Sequence, residues 1–390
     1  MEVSVGRLAR AGLYAGAVIG PFGGAVTTSI LPEIGDGFGR SPGAAASTLT
    51  YYLVPFAVLM LVSGTLAQRW GPQRTVRVAY VAYAVTSLLA ASAWTFEVLL
   101  ASRVLQGAAN SFTTPVLLAV IAASTPKEKL GRALGLFGSM QAAGQTSAPL
   151  VGGLTAEIDW RLAFVVIAVV AAGLAVLGVP QTDAEPERDA SLRSAFVPST
   201  LRPALIAFVG WGCLGGLSFL VAFRLDDVFG LSAGERGLLL TGFGIVGFLT
   251  ARHIGKAIDR FGATTTVVIG ATLGGGLIAA AGTTPFAAVV VIAWALTGAA
   301  AQGVLVSINA LVLRSDNANR GGSVSVVQSL RFMGAAAAPL AFVPLYQAHP
   351  LAGFLVPAGL LVVVPAVVTW SGRGAGSRRT PQPGAPPPPR

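Results

Sequence analysis

Of the 390 residues, 54% are hydrophobic and only 11% charged, with a formal net charge of +10 and a mean hydropathy of +0.72. A soluble domain carries about 25% charged residues, so a water-soluble globule of this length is excluded, and with it a nucleic-acid-binding face built from the excess cations. One cysteine, Cys213, excludes an intramolecular disulfide and a cysteine-based metal cluster, and two histidines leave little for a zinc site.

Lipid is the natural solvent for such a chain, since a spanning helix needs about 20 mostly apolar residues. Apolar runs of that length predict twelve helices, at 8–30, 44–67, 75–93, 98–122, 132–155, 161–180, 201–223, 234–254, 264–283, 285–312, 322–344 and 351–371. The first follows Arg7 and Arg10 and is too long for a signal core, so it reads as a retained helix. The longest polar break, "QTDAEPERDASLRSAFVPST" at 181–200, divides the chain into a six-helix bundle at 1–180 and another at 201–371. The Pro-rich stretch 372–390 reads as a disordered tail.

Lysine and arginine orient the spans. With the N-terminus inside, the outer side holds only Arg40, Arg161, Arg224 and Arg236, while the inner side carries most of the rest. Both termini and the central loop are therefore expected in the cytoplasm of a cell whose plasma membrane the chain crosses. The excess charge faces an anionic leaflet.

Two phrases recur. Gly64-Thr-Leu-Ala-Gln68-Arg69-Trp70-Gly71 matches Gly255-Lys-Ala-Ile-Asp259-Arg260-Phe261-Gly262. Gly144 through Pro149 matches Gly334 through Pro339 at nearly the same offset. A shared offset implies two structurally equivalent halves related by an axis along the membrane normal.

These motifs carry a resemblance. Gly64…Gln68-Arg69-x-Gly71 with Arg74 resembles the loop between helices two and three of the major facilitator superfamily, with Gln68 where that family usually has an aspartate; the second copy keeps Asp259 and Arg260. Arg103-Val-Leu-Gln106-Gly107 resembles the fourth-helix motif. Gly144, Pro149, Gly152 and Gly153 resemble the fifth-helix motif of exporting branches, nearest the twelve-helix drug:proton antiporters. The resemblance implies an all-α integral membrane protein of two pseudo-symmetric six-helix bundles, which transports by alternating access and is not an enzyme. It also implies a central cavity lined by helices 1, 4, 7 and 10, with 2, 5, 8 and 11 contributing.

Within that scheme each motif has its own physics. The acid of each 2–3 loop can face a helix N-terminus of the other half: Asp259 the start of helix 5 near Arg132, and Gln68 the start of helix 11 near Gly321 and Gly322. The second latch is expected to be the stronger. Small residues at 144, 152 and 153, and Gly334 in helix 11, permit close packing, and Pro149 and Pro339 bend their helices, as a hinge and gasket between halves. Arg103 and Arg331 fall inside spans, where a charge must face a cavity or satisfy backbone carbonyls between helices. Polar stripes at Arg103/Gln106/Asn110, Gln141/Gln145, Gln302/Asn309 and Gln328/Arg331, with Trp211 among the available aromatics, are the candidate cavity lining.

No Asp or Glu lies in the middle of any predicted span. Candidates for proton coupling are accordingly Glu33 and Asp36, at the outer end of helix 1, and Arg103. A gating role at the mouth is the stronger reading for Glu33. No HExxH or GxSxG motif appears, and no metal or cofactor is expected. The leading function is export of a small amphipathic compound, such as a drug, antibiotic or metabolite, by a monomer in the bilayer, with proton antiport as its coupled form. Uptake of a small neutral or anionic solute stands second, and a non-transporting membrane sensor is the distant alternative.

Overall fold

The computed structural model describes residues 2–180, 197–313 and 320–376. Among them there is no strand, and sixteen α-helices make twelve rods. The first group comprises α1 (Glu2–Ala25), α2 (Leu31–Gly37), α3 (Pro42–Ala45), α4 (Ser47–Trp70), α5 (Pro72–Ala91), α6 (Phe96–Asn110), α7 (Thr114–Ser124), α8 (Lys127–Ala156) and α9 (Arg161–Leu177). After the central segment come α10 (Pro198–Cys213), α11 (Ser218–Asp227), α12 (Ala233–Phe261), α13 (Ala263–Thr283), α14 (Ala287–Leu313), α15 (Arg320–Ala348) and α16 (Pro350–Gly376). Eight segments are long and apolar enough to cross a membrane on length and composition alone, and α9 is a shorter apolar helix. The remaining rods, α1, α5 and α8, are not among these segments.

The differences from the expected spans have local causes. The fourth span breaks into α6 and α7 at Ser111–Thr113, where the Asn110 carbonyl accepts from both the Thr113 N–H and its hydroxyl and Pro115 has no N–H to continue the ladder. The seventh breaks at Leu214, and a 3₁₀ turn over Gly215–Leu217 leads into α11. The 64–71 and 255–262 phrases are helix for all but their last residue. α4 and α12 run on through them and stop at Gly71 and Gly262, whose φ values of +85° and +83° only glycine adopts without strain. Residues 372–376, expected to be tail, close α16; 377–390 lie outside the described residues.

Packing repeats across the two groups. α1 packs on α8 as α10 packs on α15, α4 on α6 as α12 on α14, and α5 on α9 as α13 on α16. The groups join along two seams, α4 against α15 and α8 against α12. Outward-facing stripes are apolar: Val78, Val81, Val85 and Leu88 on α5 and Leu238, Ile245 and Leu249 on α12 are all at least 48% exposed. That much contiguous apolar surface belongs in hydrocarbon. Twelve alternating rods bring α1's start and α16's end to one end of the bundle, here the terminal end; α2 and α3 lie at the far end.

Candidate functional site

A cavity of about 780 Å³ lies between the two groups. Its wall takes residues from α1, α4, α7, α8, α10, α11, α12, α14 and α15. Pro21 and Ala25 of α1, with Thr28 in the turn after it, mark its deep end, and Asn309 and Val324 its reach toward the terminal end. The deep end is aromatic. Phe243 stacks on Trp294 with centroids 4.9 Å apart, and Phe56 meets Phe332 edge-on at 5.0 Å. Trp294 is held by its indole N–H on the Leu240 carbonyl at 3.2 Å.

Seven of the anticipated polar residues line this space: Gln141, Gln145, Trp211, Gln302, Asn309, Gln328 and Arg331. The Gln141 amide donates to Thr114 Oγ1 at 3.3 Å. The Arg331 guanidinium lies 4.5 Å from the Trp211 ring and 4.4 Å from Phe332. Its Nε and the Gln328 Oε1 are buried without hydrogen-bond partners. Among the described residues Arg331 has no salt bridge, and no carboxylate lines the cavity.

Arg103, Gln106 and Asn110 do not line it, which corrects the expectation for all three. Each is completely buried inside the first group. Arg103 donates to the Thr48 carbonyl (3.3 Å), to the Gly23 carbonyl from both terminal nitrogens (3.2 Å) and to Gln106 Oε1 (2.9 Å), with its charge 4.2 Å from the Tyr52 ring. Gln106 passes the chain to Ser87 Oγ at 2.8 Å. Asn110 ties the Gly20 carbonyl to the Tyr52 hydroxyl, which faces that of Tyr83. The arginine thus satisfies carbonyls of α1 and α4, the second of the two outcomes open to a charge in a span. Periodicity put these residues on one helical face; only packing shows that the face meets α1 and α4 and not the cavity.

The far end is closed by a network that sequence reading passed over. Arg236, in the first turn of α12 and 1% exposed, pairs with Glu33 of α2 and Asp226 of α11. It also donates to the Ser29 carbonyl (3.2 Å) and the Leu231 carbonyl (2.8 Å). Glu33, a coupling candidate, therefore bridges the groups; Asp36 is exposed at the end of α2. At the start of α12 the Glu157 carboxylate accepts from the Gly234 N–H at 2.7 Å. That bond and one from Ser232 hold its pKa below the usual carboxylate range. A capping box, Ser232 with Glu235, completes the α12 start.

Small residues of the fifth-helix motif divide their work. Gly144 brings α8 onto the Val18 carbonyl of α1 and Gly152 onto that of Val26 in the turn after it, and Gly334 brings α15 onto the Phe208 carbonyl of α10, each within one group. Gly153 instead faces the Ala233 carbonyl across the seam, where Gly237 faces that of Pro149. The other seam is tied by Thr50 Oγ1 to the Ala336 carbonyl and Ser329 Oγ to that of Ala57, both at 2.6 Å. Pro149 and Pro339 both lie inside unbroken helices.

At the terminal end, Gly64 and Gly255 face open space, Arg69, Arg74 and Asp259 are exposed, and Arg260 lies over the Phe261 ring at 5.2 Å. The side chains of Gln68 and Arg132, and those at 320–322, fall outside the described residues, and with them the expected latches.

Comparison with known proteins agrees with this architecture. The Major Facilitator Superfamily model matches residues 13–250, more than half of the chain, which belongs to that superfamily of transporters and not to an enzyme family. The chain is 28% identical over 293 residues to the tetracenomycin C resistance and export protein of Streptomyces glaucescens, covering 57% of this chain and 53% of that one. It is 27% identical over 219 residues to multidrug resistance protein 1 of Bacillus subtilis, covering 53% and 56%. The chain thus spans about half the length of these relatives, and 26% of an MFS-type transporter, EfpA, of Mycobacterium tuberculosis. Among solved structures, a D-xylose-proton symporter superposes with a TM-score of 0.77 at 15% identity, over 92% of this chain and 96% of that one.

Proposed function

We propose that the chain exports a small amphipathic compound by alternating access, the helices of 1–180 rocking against those of 201–371 around the shared cavity. The observation that carries this reading is the cavity's place between the two groups, closed toward Glu33 and Arg236 and running toward the terminal end. The excess of cations on the loops that the topology assigns to the terminal end supports a cytoplasmic position for both termini in the plasma membrane, so the conformation is inward-facing. Relatives named for resistance and export favour efflux over uptake and suggest antibiotics as the first compounds to try.

Proton antiport is the coupled form of the proposal. Glu33 is the carboxylate best placed for it, because protonation would release its hold on Arg236 across the groups. Export is tested by accumulation of puromycin and of a fluorescent amphipathic dye in cells with and without the protein. Lower accumulation with the protein supports export, and higher accumulation supports uptake. Collapse of a pH gradient in proteoliposomes on addition of the transported compound tests antiport.

A further inference from the structure

We propose that the cavity takes a planar organic anion, its acid group on the Arg331 guanidinium and its ring among Trp211, Phe332 and the Phe243–Trp294 stack. The proposal rests on the transporter reading for its setting and names the substrate class of that same cavity.

The fold contains its own control. Arg103 and Arg331 are both arginines inside spans, and a guanidinium stays charged in either place. Arg103 donates four hydrogen bonds to carbonyl and amide oxygens, as a charge that serves structure does. Arg331 makes none to a described residue, its buried Nε has no partner, and its Cζ lies over the Trp211 and Phe332 rings. Cation–π contact uses none of the guanidinium's hydrogen-bonding capacity, and its terminal N–H groups match a carboxylate or enolate in a two-pronged pair. Arg331 is also the only ionisable side chain among the described residues of the wall. One cation without a counter-charge in a low-dielectric cleft repels a cationic guest and neutralises a single negative charge. Gln328, one turn before Arg331, lines the same wall and has a buried Oε1 without a partner. The aromatic deep end offers faces for a fused ring.

A series with one ring system and three charges tests this: naphthoate, naphthamide and naphthylmethylammonium, titrated against the purified full chain by calorimetry and tryptophan quenching, in wild type, Arg331→Lys and Arg331→Gln. Wild type should bind naphthoate at least about tenfold more tightly than naphthamide and should not bind the ammonium. Arg331→Gln should lose the anion preference while still melting cooperatively, with a smaller fall in melting temperature than Arg103→Gln, and Arg331→Lys should keep part of the preference, because lysine supplies the charge without the fork. Equal affinity across the series, preference for the ammonium, anion preference that survives Arg331→Gln, or no naphthoate binding up to about 1 mM overturns the proposal. Uptake of the same compounds into proteoliposomes separates the two readings. If vesicles move naphthamide but show no anion preference, the substrate class fails and transport stands. If naphthoate binds through Arg331 and no compound crosses, transport fails and the anion site stands.

Discussion

Gly144 sits against the carbonyl oxygen of Val18, and the same contact recurs at Gly334 on Phe208, both partners shifted by 190 positions. A second pair does likewise at a shift of 191: Gly107 lies on the Tyr52 carbonyl and Gly298 on that of Phe243. Thr75 donates to the Gly71 carbonyl and Thr266 to that of Gly262, each at 2.9 Å. The internal repeat is thus one of backbone geometry, kept where no room exists for a side chain.

A Cβ at Gly334 would overlap the Phe208 carbonyl, which belongs to backbone and cannot rotate away. Gly334→Val should destabilise the protein by about 1–3 kcal/mol through overpacking, and Gly144→Val by a similar amount. Gly276→Ala, in α13 with open space ahead of it, should instead gain about 0.5–1 kcal/mol. Thermal unfolding of the three variants in detergent checks the order.

Arg103→Gln leaves the Thr48 and Gly23 carbonyls without their charged donor and should cost at least about 3 kcal/mol. Arg331→Gln should cost no more than its two ring contacts, about 0.5–2 kcal/mol. A larger loss at Arg331 than at Arg103 in denaturant or heat titrations would contradict the separate roles given to them.

Glu33→Gln removes one of the two carboxylates on Arg236 and the one that reaches it from the other group. The far end should open more often. With Cys213 replaced by Ser, a cysteine at Ala336, completely buried in the seam, should react with a thiol reagent several-fold faster in Glu33→Gln. Arg236→Gln should have the larger effect, leaving both carboxylates unpaired.

Glu157 titrates outside the spans. Its folded-state pKa is lowered by the Gly234 N–H and Ser232, so its contribution to stability is full at neutral pH. That contribution falls once the pH drops below the unfolded carboxylate range and is lost below the depressed folded value. Glu157→Gln should flatten the acid limb of the melting-temperature profile in that window and leave the difference from wild type constant above it.

Membrane immersion, twelve rods and the twofold repeat were legible in the chain itself. Apolar runs of spanning length report solvent and not partner, and a repeat is a property of order along the chain. The cavity stripes of α8, α14 and α15 were legible for the same reason: glutamine, asparagine and arginine in hydrocarbon must find water, a ligand or each other. Which of those they find is a question of neighbours. Arg103 and Arg331 carry the same sequence signature, yet one is sealed against Gly23 and Thr48 and the other meets open space. Arg236 counted only as an outer-side cation until α2, α11 and α12 converged on it. Helical periodicity names a face, and only the approach of other helices decides what that face meets.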